Sequence, residues 1–220
     1  MRLDELTART VAAYDALGLP TWPNPHPDDA EPRDEEYSRV TDVERYDVLH
    51  ARARAWAQVL GALPDVTVDD VDAASLGTAD RGVRLTSSRP GTLALLLLES
   101  DRRRIDGEDV PATLRVAVER PDVVLDDRPD CGCDACDFGS AELLDAVDQA
   151  IGHVVGGPIV LLRARRWSAV WYPDGGEMSA DGTAGPDFSS LMRLGRRLAA
   201  GEQVRLPRGC EALVGHSWLA

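Results

Sequence analysis

The residues best equipped for chemistry are cysteines. The stretch CGCDACD places Cys131, Cys133 and Cys136 within six residues, and Cys210 stands far along the chain. Cys133 and Cys136 have the spacing of a zinc knuckle, in which a tight turn lets backbone amides donate to the sulfurs. Cys131 is one residue too close for a second pair of that kind. A single tetrahedral zinc would take Cys131, Cys133 and Cys136, with Cys210 as the expected fourth ligand and His153 and His216 as rivals for that place. Two other readings stay open: reduced thiols that only pack, and an enzyme or redox protein using a cysteine of this loop.

The neighbouring charges bear on that choice. Asp130, Asp134 and Asp137 interleave with the thiols. Like charges raise a thiol's pKa, so an unassisted nucleophilic cysteine is poorly served among carboxylates. A divalent cation reverses the argument, because it stabilises thiolates and is drawn by the acids. A helix beginning near 141 pulls the other way, its N-terminus favouring an anion at Cys136 without a metal.

Other chemistries are excluded by type. All 24 basic residues are arginine, so there is no lysine for a pyridoxal phosphate Schiff base or for a P-loop. GxSxG, GxGxxG and HExxH are absent. His50 reads as a partly buried, satisfied histidine and His26 as exposed. The acids of 68–72 lack EF-hand spacing and read as a solvated loop. The net charge of −14 repels phosphate backbones. DRRRID and RARR read as solvated hairpin ends, so no nucleic-acid partner is expected. No apolar run is long enough for a membrane, and the N-terminus does not look like a secretory signal. The expected setting is the cytoplasm, with thiols reduced and an unknown protein partner as the acidic surface's counterpart.

The elements that must hold the cysteines follow from periodicity. Residues 2–17 read as a helix with Leu3, Leu6, Tyr14 and Leu17 on one face. Residues 20–36 are a proline- and acid-rich surface loop, anchored by Trp22. Thr41 and Glu44 form the pattern of a capping box, which predicts a helix from there to Leu60 with Arg52 and Arg54 facing water. Then the period changes to two. GVRLTSS and TLALLLLE flank Pro90-Gly91 as a hairpin, TLRVAVE adds a third strand, and Asp106-Gly107 marks a turn between them. Ser140 is placed to cap a helix over 141–155. A second hairpin over 158–173 carries Trp167 and Trp171 on one face, read as core rather than as a ligand wall. A short helix over 188–199 with Phe188, Leu191, Met192 and Leu198 inward precedes a last strand within 211–219. The fold class is α+β, an antiparallel sheet with helices mainly on one face, as one domain over 1–220.

The stretches EEYSRVTDVERYDVLHARARAWAQVL (35–60) and CGCDACDFGSAELLDAVDQAI (131–151), together with the chain length, resemble an uncharacterised family of high-GC Gram-positive bacteria. The resemblance covers nearly the whole chain, supports a single domain and implies no activity. The functional expectation is a binding or interaction module whose cysteine-rich loop holds a structural zinc.

Overall fold

The computed structural model describes residues 1–27, 31–181 and 185–219, so residues 28–30 of the proline-rich loop lie outside it. Helix makes up 34% and strand 27%, with antiparallel sheets, as an α+β chain requires. Among the described residues no helix is long and apolar enough to cross a membrane. By internal contacts the chain divides into two compact units.

The larger unit spans 4–86 and 94–151. It contains α1 (Leu3–Asp15) and α2 (Val48–Gly61). Its five strands are β1 (Val66–Asp70), β2 (Arg81–Ser87), β3 (Leu95–Ser100), β6 (Thr113–Val118) and β7 (Val124–Arg128), ordered β1-β2-β3-β6-β7. The short hairpin β4 (Arg103–Ile105) and β5 (Glu108–Val110) interrupts this meander. β3 is central and buried along its whole length, which is what an unbroken LLLL run predicts. Gly91 at φ +75° supplies the left-handed residue of the Pro-Gly turn, and Leu85 then pairs with Leu95. Asp106 and Gly107 are both at positive φ, but they close β4–β5 rather than link the long strands. α2 packs on β1 and β6.

Two helix boundaries differ from the periodicity. α2 begins at Val48, after a 3-10 turn over Val43–Asp47, and neither Thr41 nor Glu44 caps it. Thr41 spends its hydroxyl and amide on a carboxylate of another segment. α1 ends at Asp15, which leaves Leu17 exposed. Arg52 is buried rather than solvated, because Asp148, 96 residues further on, takes its guanidinium.

The smaller unit comprises 1–3, 87–93 and 152–220. α3 (Ser140–Gly156) enters it with its last turn. Its sheet is ordered β10 (Gly175–Ala180), β9 (Trp167–Tyr172), β8 (Ile159–Ala164), β11 (Glu211–Gly215). α4 (Phe188–Ala199) lies on this sheet, with Val160, Leu162, Ala169, Trp171 and Leu191 as the buried centre. Trp167 packs on that centre, so the tryptophan pair is core as expected. Phe188, expected inward, is 45% exposed at the first helical position, where the Asp187 cap sets the chain direction.

Gly195 is the contact point of α4 with the sheet, since a Cβ there would sit 2.5 Å from Trp171 Cβ. Alanine is ordinarily the better helix former by about 1 kcal/mol. Here overpacking against a fixed indole should outweigh that, and Gly195→Ala is expected to destabilise by about 1–3 kcal/mol in urea denaturation. A stabilised variant would show that α4 is free to move off the sheet.

Candidate metal centre

The cysteine turn lies in the larger unit, between β7 and α3. Cys133 heads a 3-10 turn over Asp134–Cys136, and Cys136 N–H donates to Cys133 O at 3.0 Å. That turn folds the three sulfurs together: those of Cys131, Cys133 and Cys136 all lie within 4.8 Å of one another. Zinc–sulfur bonds near 2.3 Å put tetrahedral sulfurs about 3.8 Å apart, so the spread suits one shared ion. Cys131 and Cys133 sulfurs are 3.1 Å apart, far beyond a covalent bond, and all four cysteines are free thiols. Gly132 leaves space for Pro111, whose ring would meet a Cβ at 2.6 Å.

Cys133 is buried, while Cys131 and Cys136 are exposed. The backbone N–H and the thiol of Cys133 both favour an anion on Cys131 and hold that thiol below its usual range. Cys136 goes the other way and is pushed up to about 12, chiefly by its hydrogen bond with Cys133 and by burial. The trio thus accommodates one negative charge readily and further ones only with a cation beside them.

The three aspartates do not press on the sulfurs as their interleaving suggested. Asp134 accepts from Arg39 Nε at 2.6 Å, from Thr41 N at 2.7 Å and from Thr41 Oγ1 at 2.6 Å. Burial alone would raise its pKa, but the bonds from Thr41 and Arg39 prevail and hold it below the ordinary carboxylate value. Asp137 accepts from Trp22 Nε1 at 2.9 Å and Gly139 N at 2.8 Å, and pairs with Arg45 at 2.8 Å. Asp130 pairs with Arg128 at 3.0 Å and only slightly opposes the thiolate at Cys131. The carboxylates are therefore anchors. Asp134 and Asp137 fasten the turn to 39–45 and to Trp22, and an arginine pairs with each of the three.

Trp22 is the anchor expected of it. Its N–H and carbonyl exchange hydrogen bonds with Ser140 Oγ at 3.1 and 3.2 Å, and its ring meets Tyr46 edge-on at 6.0 Å. Ser140 is thereby used as a latch rather than a helix cap. Gly139, at φ +91°, is where the segment 22–24 crosses, and a Cβ there would stand 2.6 Å from Asn24 N. His26 is half-buried, its Nε2 3.1 Å from Asp134 O, not exposed as its proline-rich setting implied. Sequence reasoning missed Arg39 and Arg45. Arg45 stacks at 5.2 Å from the rings of both Trp22 and Tyr46, and no local pattern announces such a partner.

A family model, Family of unknown function (DUF6226), matches residues 8–220. The chain belongs to that family. No curated protein and no solved structure matches it. The DUF6226 match spans both stretches on which the resemblance was read, and these stretches meet in space at the Arg39–Asp134 and Arg45–Asp137 pairs.

The remaining ligand candidates lie in the smaller unit. Cys210 is half-buried, with its thiol 3.3 Å from Glu211 O, and burial raises its pKa. The His153 ring stacks on Tyr172 with centroids 3.8 Å apart. His50, in the larger unit and not a ligand candidate, is buried and satisfied, Nε2 lying 2.9 Å from Thr113 O. Among the described residues, the cysteine trio is the group of side chains placed to hold a metal.

Proposed function

We propose that this chain is a metal-binding module in which Cys131, Cys133 and Cys136 hold one zinc-class ion. The observation that carries this is the closure of three sulfurs to within 4.8 Å by a turn whose own polar groups are otherwise satisfied. Electrostatics supports it, since the larger unit holds 32 of the 38 acids and 14 of the 24 arginines. Such a field attracts cations. Zinc needs no redox partner and accepts three thiolates, leaving a fourth position for another donor.

Elemental analysis of protein purified without chelator should find about one zinc per chain, and Cys136→Ser should reduce it to a small fraction of that. Because Cys136 must give up a proton that it holds up to about 12, zinc affinity should fall as pH falls. Protein that stays metal-free when exposed to zinc under reducing conditions would overturn the reading.

One observation favours a second reading, a peroxide-sensitive switch. Cys131 is exposed, its thiol is depressed, and a partner thiol stands 3.1 Å away. A peroxide would oxidise Cys131 to a sulfenic acid, which would condense with a neighbouring thiol and release water. Thiol titration before and after mild peroxide separates the two: loss of two thiols from the metal-free protein supports the switch, and an unchanged count removes it.

A further inference from the structure

An ion on three protein sulfurs has one position left in a tetrahedral shell. Cys131 and Cys136, the two exposed cysteines of the trio, both line a groove of about 850 Å³, and buried Cys133 does not. The open position therefore lies on the groove side. Three thiolates give a zinc ion a net negative charge, which weakens its hold on hard oxygen donors and on anions, so a soft neutral or cationic molecule suits it best. The groove wall points to the rest of that molecule. Phe138 offers an apolar surface, 52% exposed. Glu142 and Asp145 lie three residues apart on the groove-lining side of α3 and form no ion pair among the described residues. Unpaired carboxylates beside an electron-rich ion select an ammonium group.

Building on the three-sulfur metal reading above, we infer that the ion turns an open position to this groove and takes there the thiol of a small aminothiol, whose ammonium rests against Glu142 and Asp145. On binding, the S–H bond breaks and its proton leaves to solvent. A metal–sulfur bond replaces a metal–water bond, and no electron changes hands.

The test uses the full chain loaded with cobalt(II), whose thiolate charge-transfer absorption counts sulfur ligands. Cysteamine is the probe and mercaptoacetate its anionic counterpart. Absorption should rise by about a third on adding cysteamine, as three thiolates become four. Half-saturation should come at a concentration about tenfold lower for cysteamine than for mercaptoacetate. Glu142→Gln with Asp145→Asn should reduce that preference to the part the negative ion itself exerts, and leave the thiol-free cobalt spectrum unchanged. An unchanged spectrum with either thiol overturns the inference while the metal reading stands. So does a spectrum that shows four thiolates from the start and loses one in Cys210→Ser. Equal affinity for the two thiols overturns the role of Glu142 and Asp145. A chain that takes up neither cobalt nor zinc overturns the metal reading and this inference with it.

Discussion

Replacing Asp148 by alanine should lower folding stability by about 3–5 kcal/mol. Arg52 is only 4% exposed and donates through Nε to Asp148 Oδ1 at 2.8 Å and through Nη2 to Oδ2. Trp56, fully buried, donates its indole N–H to the same Oδ1 at 2.6 Å. Removing the carboxylate strands a buried guanidinium and a buried donor together, and both penalties fall on one site. The Tyr14 ring, 5.1 Å from the guanidinium, remains as a cation–π partner worth about 2 kcal/mol, which offsets only part of the loss. A drop in the urea midpoint with unchanged slope would report the loss. Arg52→Met combined with Asp148→Leu should recover the part that comes from the stranded guanidinium, while the Trp56 indole N–H, which still lacks its acceptor, keeps a residual loss of about 1–3 kcal/mol. A loss under about 1 kcal/mol for Asp148→Ala would mean that Arg52 swings out to water once released, as a surface arginine would.

Asp134→Ala is expected to act on the cysteine turn as well as on stability. The carboxylate is the common acceptor for Arg39 and for both donors of Thr41, and its own N–H donates to Arg39 O at 2.8 Å. It fixes the segment 39–41 against the turn that carries Cys133 and Cys136. Its loss should cost about 3 kcal/mol. On the metal reading proposed above, it should also weaken zinc binding by about tenfold to a hundredfold, as removal of groups that orient metal ligands does. Competition with a chromophoric chelator measures the second effect. Asp134→Asn, which retains acceptor capacity, should lose less of both. The acid dependence has a definite sign. Because the folded state depresses this pKa, the stabilisation is complete above the unfolded value of about 3.9 and disappears as pH drops through the lower folded value. Wild type and variant should therefore converge in strongly acid solution and differ most near neutrality. Undiminished zinc affinity in Asp134→Ala would show that the sulfurs hold their arrangement unaided.

What was legible in the chain is what local rules govern. Pro90-Gly91 fixed a turn, the alternation of TLRVAVE fixed a strand, and the α3 stripe fixed a buried helix face, because each depends on neighbours within a few residues. The cysteine trio was legible for the same reason: x and x-x spacings already limit how far the sulfurs separate. Thr41 misled because a capping box and a side chain reserved for Asp134 look alike until residue 134 is in place. Arg52 misled because burial of a charge depends on a partner elsewhere, and Asp148 carries no mark that distinguishes it from the other acids of α3. The whole-chain charge concealed more still. The smaller unit has 10 arginines against 6 acids, so the acidity belongs to the larger unit alone.

Asp137 grips the Trp22 indole with one carboxylate while its backbone closes the turn of the sulfurs. Seating the segment around Trp22 and ordering the thiols are thus two faces of one equilibrium. On the metal reading proposed above, whatever prises that segment loose would slacken the hold on the cation by the same factor as the cation tightens the segment, since such coupling is reciprocal. Because four other tryptophans also emit, that exchange would be read as the cation-dependent part of the emission that Trp22→Phe removes.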